Sequence, residues 1–506
     1  MHSNREKRIF KNTALLYFRM AFTMLLGIYT SRIVLQALGV SDYGLFNVVG
    51  GVTTMFLFLN GSMSVATSRF ISYEMGHNNK ERLAATYNQA RLIHWCIAAV
   101  VFLLIETIGL WFLNNNMNIP DGRMDAANLV LHTVAITSVL NIIATPDISL
   151  VISHEKMSSF AYISIFDATI RFLFTYFLLS YNHDRLILYA ILMMLIQVAD
   201  RLFYLIYCHR NFKECRTRVK LHPEIFKSML SFAGWNIMGN LALIIIDQGI
   251  NIVLNIFYGT IVNAARGIAM QISNYSNAFV TNVRMAINPQ ITKSYASGDI
   301  NFMVKLIKYS SLSCYYLLLL IAAVLYWVID YILKIWLIEV PEHTSIFINL
   351  TLLYLIVNSF GNPVIIGIHA TGHIRKFQIV EGSIMLLTLP LAYILLKCDY
   401  PPYCVYVAQI AIAIATQAGR LYVILPELRI RFRTYLTQII VPAIKVAATT
   451  IAASVAFSLL RHTMSETGYN MTQCMITTAA CLLSIMYLGL DKDERTYLYN
   501  LLRKRI

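Results

Sequence analysis

Fourteen apolar stretches of roughly membrane-spanning length, separated by short polar breaks, dominate this sequence. They lie near 13–37, 43–67, 89–113, 126–151, 158–180, 186–208, 229–257, 262–287, 305–330, 346–369, 376–396, 403–426, 436–460 and 471–489. A bilayer core about 30 Å thick takes about 20 residues of helix to cross. Within it each backbone N–H and C=O must be satisfied inside the segment, so apolar runs of this length fold as helices. The chain is 58% hydrophobic and 13% charged over 506 residues, against about 45–50% and 25% in soluble chains. So few charges cannot cover so much apolar surface in water. The expected fold class is therefore an all-α integral membrane protein with about 14 transmembrane helices.

The charge distribution orients it. There are 41 Lys and Arg against 26 Asp and Glu, a formal net charge of +15. With the N-terminus inside, about 28 basic residues fall in cytoplasmic segments and about 5 in external loops, as the positive-inside rule requires. Arg210, Lys213, Arg216, Arg218, Lys220 and Lys227 follow the sixth span; Arg503, Lys504 and Arg505 end the chain. Both termini are expected in the cytoplasm, and the high pI needs no nucleic-acid partner. The basic start, 1–12, leads into an apolar run too long for a signal peptide and without a cleavage site, so it is expected to stay as the first span.

The chain repeats itself. Ile9-Phe10-Lys11 matches Ile225-Phe226-Lys227, Ser72-Tyr73-Glu74-Met75-Gly76 matches Ser294-Tyr295-Ala296-Ser297-Gly298, and Pro146 with Phe160 matches Pro363 with Phe377. The common offset is six spans, an even number, so the copies share one orientation. The expected organisation is a cytoplasmic start over 1–12, an N-lobe over 13–208 (spans 1–6) and a basic cytoplasmic loop over 209–228. A C-lobe over 229–426 (spans 7–12), spans 13–14 over 427–489 and a cytoplasmic tail over 490–506 complete it.

Ionisable residues inside spans cost at least about 2.5–3.5 kcal/mol each at the bilayer centre. Here they include Arg19, Arg32, Arg171, Arg201, Arg266, Arg284, Arg420 and Lys445, with Glu106, Asp147, Asp167, Asp200, Asp247 and Glu381. At 100° per residue, Arg266, Ser273, Asn277, Arg284 and Asn288 share a narrow face of span 8, and Asn236, Asn240, Asp247 and Asn251 share one of span 7. Single polar residues in membranes ordinarily bond neighbouring helices, but two arginines on one face have too many donors for that. A polar cavity lined by Arg19, Arg266 and Arg284 suits an anion, because the guanidinium fork grips phosphate bidentately and stays charged. Asp167 and Arg171, four apart, form an intrahelical pair by default. Asp247 lacks a same-helix cation and is left to pair across the cavity or to carry a coupling H+ or Na+.

Enzymatic signatures are missing. The sequence has no phosphate loop of the G-x-x-x-x-G-K-[ST] type, no H-E-x-x-H, no G-x-S-x-G and no external loop longer than about a dozen residues. The eight cysteines stand singly with no metal-ligand spacing. Cys398 and Cys404 are read as apolar filler, with their pairing left open. No cofactor, no metal and no enzyme are expected.

Asn12-Thr13, Ser31-Arg32, the turn Leu38-Gly39-Val40-Ser41-Asp42-Tyr43-Gly44-Leu45-Phe46, then Thr67-Ser68-Arg69-Phe70-Ile71 and the later Ala370-Thr371-Gly372 together resemble the bacterial polysaccharide repeat-unit flippases. These belong to the multidrug/oligosaccharidyl-lipid/polysaccharide exporter superfamily. The resemblance implies a MATE-like, V-shaped fold of two six-helix lobes in a bacterial inner membrane. It implies an alternating-access cycle moving an undecaprenyl-pyrophosphate-linked oligosaccharide to the periplasmic leaflet, beside membrane lipids and polysaccharide polymerase machinery. The related peptidoglycan-precursor flippases carry arginines on spans 1, 2 and 8, which points here to Arg19, Arg32 and Arg266. Span 2 departs from that pattern, with only Arg69 at its end. The candidate substrate-binding residues are thus Arg19, Arg32, Arg266, Arg284, Asn240 and Asn277, with Asp247 and Asp167 as coupling candidates. A cation-coupled drug exporter of the same superfamily and a peptidoglycan-precursor flippase stand as alternatives.

Overall fold

The computed structural model describes the chain apart from Met1, 55–57, 117–118, 120–121, 218–220, 337–339, 429, 460–465, 492–493 and 496–506. Some further side chains, Arg32 among them, also lie outside the description. Among the described residues the regular elements are all helical, with no strand. Eleven helices there are long and apolar enough to cross a membrane. Of the other three expected spans, 13–37 and 43–67 run over side chains outside the description, and 262–287 is helical but rich in Asn, Ser and Arg.

The chain forms two compact units, 1–240 with 292–298 and 241–291 with 299–506. The first holds α1 (His2–Thr54), α2 (Phe58–Gly76), α3 (Lys80–Leu104), α4 (Leu110–Asn116), α5 (Met124–Ser153), α6 (Met157–Leu178) and α7 (Arg185–Asn211). Both units share α8 (Pro223–Ala296). The second adds α9 (Ile300–Trp336), α10 (Thr344–Ser359), α11 (Gly361–Thr371), α12 (Arg375–Leu386), α13 (Thr388–Lys397), α14 (Cys404–Glu427), α15 (Phe432–Tyr435), α16 (Val441–Ser458) and α17 (Glu466–Ser484).

Small residues let the helices of the first unit approach closely: Ala98, Ala127, Ala135 and Ala190 sit in its core beside Val101, Leu131 and Ile142. Large apolar side chains such as Trp111, Tyr176 and Phe177 point outward, as they do where the solvent is lipid. At the ends of α2 and α8, Tyr73 and Tyr295 have ring centroids 6.5 Å apart. These are equivalent positions of the sequence repeat. A Cβ on Gly76 would stand 2.5 Å from Ala296 Cβ and from the Lys293 carbonyl oxygen, so only glycine fits that crossing.

Two turns of the resembling motifs rest on glycine. Gly39 bends α1 with φ +75, and Gly372 closes α11 with φ +83 in the left-handed region. Within α8 the chain also reverses. Arg266 bonds Asp247 and Asn251, residues that a straight helix would place more than about 20 Å away at 1.5 Å per residue. The stretch around Asp247 and Asn251 therefore lies beside that around Arg266, as spans 7 and 8 must if each crosses the membrane.

Candidate functional site

The second unit contains a cavity of about 240 Å³. Asp247 reaches it from the first half of α8, Arg266, Ser273 and Asn277 from the second half, Thr351 and Asn358 from α10, and Tyr406, Gln409 and Thr416 from α14. The heptad spacing of Arg266 and Ser273 keeps both on one side of the helix, with Asn277 four residues further. This is the face the sequence picked out. Arg266 is 2% exposed and Asp247 42%. The arginine Nε donates to Asn251 Oδ1 at 2.8 Å, and Nη2 donates to the Asp247 carbonyl oxygen at 3.0 Å and to its carboxylate. Asp247 thus finds its cation across the helix pair. Chemically, the arrangement is a guanidinium fixed from behind, with its carboxylate partner open to a polar space.

The other sequence candidates go elsewhere. Arg284 does not line the cavity: its Nε is buried, its guanidinium lies against the Cys314 thiol, and no carboxylate reaches it among the described residues. Asn240 belongs to the first unit, where it donates to Ser62 Oγ at 2.8 Å. Arg32 falls outside the described side chains. Arg19 stacks over the Phe160 ring, 4.9 Å from its centroid. Asp167 accepts from Arg171 at 3.1 Å and lies within hydrogen-bonding range of Asp200. Arg19, Asp167 and Asp200 all lie within electrostatic range of Tyr204, inside the first unit.

Among the described residues, most intramembrane charges have a charged or polar partner within the fold. Asp147 pairs with Arg201 and Glu381 with Arg420. Glu106, in a π-helical turn at Ile105–Gly109, bonds His132 Nδ1 at 2.8 Å. Such pairing is what the low dielectric demands. Cys398 and Cys404 are both free thiols.

Sequence reasoning missed Thr351, Asn358, Tyr406, Gln409 and Thr416. None of them belongs to the charged stripes of spans 7 and 8. A signal existed all the same, since Thr351 with Asn358 and Gln409 with Thr416 are each seven apart and share a helix face.

The architecture is that of the MATE and MOP membrane transporters, and the chain is a multi-pass membrane protein. A crystal structure of a MATE point mutant superposes with a TM-score of 0.71 at 14% identity, covering 84% of this chain and 97% of that one. The outward-facing conformation of a multidrug resistance MATE family transporter of the MOP superfamily gives 0.71 at 14% identity, covering 84% and 95%. A MOP superfamily transporter from Pyrococcus furiosus, described by a reversed polarity of its binding pocket, gives 0.69 at 14% identity, covering 83% and 95%. No curated protein matches the sequence. By sequence, residues 9–294 match the polysaccharide biosynthesis protein family, and the chain belongs to that family.

Proposed function

We propose that this protein flips an undecaprenyl-pyrophosphate-linked oligosaccharide from the cytoplasmic to the periplasmic leaflet of a bacterial inner membrane by alternating access, for surface polysaccharide synthesis. Family and fold together support a membrane exporter acting in polysaccharide biosynthesis. The observation that carries the finer reading is Arg266, a guanidinium sealed at 2% exposure in the wall of a polar intramembrane cavity. Arginine there grips a phosphate oxygen pair and never deprotonates. A cationic drug would be served by acids alone.

The cavity is smaller than the about 300–1,000 Å³ of pockets that enclose a whole small ligand, so it suits one anionic group of the cargo rather than its sugars. Asn277 and Ser273 offer further bonds to that group. Asp247, released from Arg266 when the anion arrives, would take up the coupling H+ or Na+. Arg19 and Arg32 remain in the proposal as further anion contacts, and Asp167 as a second candidate for ion coupling. Polysaccharide polymerase machinery would receive the flipped unit. The proposed action is transport, without chemistry on the cargo.

The test is a strain lacking this protein, with lipid-linked glycans identified by mass spectrometry and their leaflet scored by a periplasmic probe. A complete repeat unit should accumulate on the inner leaflet, rescued by the wild-type protein and not by Arg266→Ala at equal expression. Unchanged lipid-linked glycans with raised drug sensitivity would instead favour the drug-exporter reading.

A further inference from the structure

Away from that cavity, the first unit brings together two thiols and a carboxylate that its sequence keeps far apart. Cys208 lies in the last turn of α7, Cys215 in the short 3₁₀ turn Lys213–Arg216 that follows, and Asp147 in the C-terminal half of α5. The two sulfur atoms and an Asp147 carboxylate oxygen all lie within 4.8 Å of one another. All three residues are buried, at 0%, 2% and 2% exposure respectively. Tyr87, on α3, donates to one Asp147 oxygen while Arg201 binds the other.

We infer that Asp147, Cys208 and Cys215 form a binding site for a thiophilic divalent cation of the zinc class. The donor set is what zinc selects: two thiolates and a carboxylate, with bonds of about 2.3 and 2.0 Å in a tetrahedron. Those lengths put ligand atoms somewhat under 4 Å apart, so the present separations close by about an ångström or less. Tyr87 Oη, bonded to Asp147 and beside the Cys215 thiol, offers an oxygen to complete the set.

Electrostatics favours the exchange. Without metal, Asp147 and Arg201 cancel and the two thiols are neutral. With it, a 2+ ion joins two thiolates, the carboxylate and the guanidinium, and the sum is again zero. Two protons leave for each ion that enters, so the buried site never carries the unpaired charge that a low dielectric penalises. Arg201, itself a cation, is the counter-charge that balances the third anionic ligand. Bound metal would tie α5, the end of α7 and the start of the basic connection into one piece. The site stands independently of the transport reading.

The experiment uses the full-length, untagged protein in detergent, reduced, stripped with chelator and then equilibrated with Zn2+ or Co2+. Expected are one tightly held zinc per chain and, with cobalt, the sulfur-to-metal charge-transfer absorption that only thiolate ligation produces. Affinity should rise with pH, since protons are released. Asp147→Asn, close to isosteric, should weaken zinc by about 100-fold, at the upper end of what outer-shell losses cost. Cys208→Ser with Cys215→Ser should abolish the cobalt band. The cobalt spectrum of the wild type needs no variant to fold. Absence of that band, zinc retained by the double serine variant, or a Cys208–Cys215 disulfide in place of metal would each overturn the proposal.

Discussion

The Asp147–Arg201 pair of the first unit and the Asp247–Arg266 pair of the second use the same two side chains to opposite ends. In the first, both partners are sealed, the arginine at 9% exposure and the aspartate at 3%. In the second, the arginine is sealed at 2% but the aspartate is 42% exposed. A pair closed on both sides is compensated inside the fold, by its own partner and, for Asp147, by the Tyr87 hydroxyl, so the helices carrying the charges are held too. A pair open on the acid's side is different. Its carboxylate can meet another cation, a proton or water, so the arginine's partner can be exchanged without stranding a charge. The first geometry fixes structure, and the second leaves room for function.

Removing Arg201 should produce the largest effect. Arg201→Met strands the Asp147 carboxylate among α3, α5 and α7, and breaking a buried pair from one side costs about 3–5 kcal/mol. Thermal unfolding in detergent should shift down steeply, with much less protein recovered from membranes. Adding Asp147→Asn should restore much of the loss, because the uncompensated charge is then gone. A stable Arg201→Met protein would mean that water already reaches Asp147, and the contrast between the two pairs would collapse.

Asp247→Asn should act more weakly on stability and strongly on the ion dependence of export. The amide still accepts from Arg266, and the arginine keeps its bonds to the Asp247 carbonyl and Asn251. Loss of the pair's charge should therefore cost about 1.5–2 kcal/mol, at the low end for a hydrogen bond to a charged group. Export of the lipid-linked glycan, measured against an imposed pH or Na+ gradient, should lose its gradient dependence. Retained dependence would move the coupling step to the cluster of Asp167, Asp200 and Tyr204.

What could be read from the chain before folding follows from distance along it. Apolar runs of about 20 residues announce helices because each satisfies its own backbone. Asp167 and Arg171, four apart, announce their own pair. Arg266, Ser273 and Asn277 share a face by periodicity alone, and the cavity uses that face. The partners that decide what each charge does are another matter. Arg201 finds Asp147 at a separation of 54 residues, Arg420 finds Glu381 at 39 and Arg123 finds Asp42 at 81. Such separations depend on which helices neighbour one another, and periodicity is silent on that. Arg284 shows the same limit from the other side: it shares the helical face of Arg266, yet it meets the Cys314 thiol rather than the cavity. Cys208 and Cys215, with six residues between them, match no metal spacing and gain a carboxylate only when α5 packs beside α7.

A third ion-paired group, an arginine between two aspartates outside the membrane, gives the smallest effect and the sharpest test of how burial sets the consequence. Arg123, just before α5, donates through Nε to Asp42 at 3.0 Å and through Nη1 to Asp184 at 2.6 Å, and all three side chains are about one-fifth to one-third exposed. Asp184 also caps α7 by accepting from the backbone N–H groups of Leu186 and Ile187. Burial pushes the Asp184 carboxyl up, but the Ile187 N–H, Arg123 and the Leu186 N–H outweigh it and hold the group below its ordinary value. A depressed carboxyl contributes stability that is complete above its unfolded value of about 4 and is lost only as pH falls through the lower folded one. Protection of the Arg123 and Asp184 loops from protease should therefore stay flat from pH 8 to about pH 5 and fall only below about pH 4. Asp184→Ala should cost about 1 kcal/mol at neutral pH, the sum of a lost cap and a screened pair, and should flatten the acid end of the profile. A fall between pH 8 and 5 would mean that a group other than Asp184 sets the stability of this end of the molecule. A loss at neutral pH as large as that of Arg201→Met would show that exposure does not govern what these ion pairs contribute.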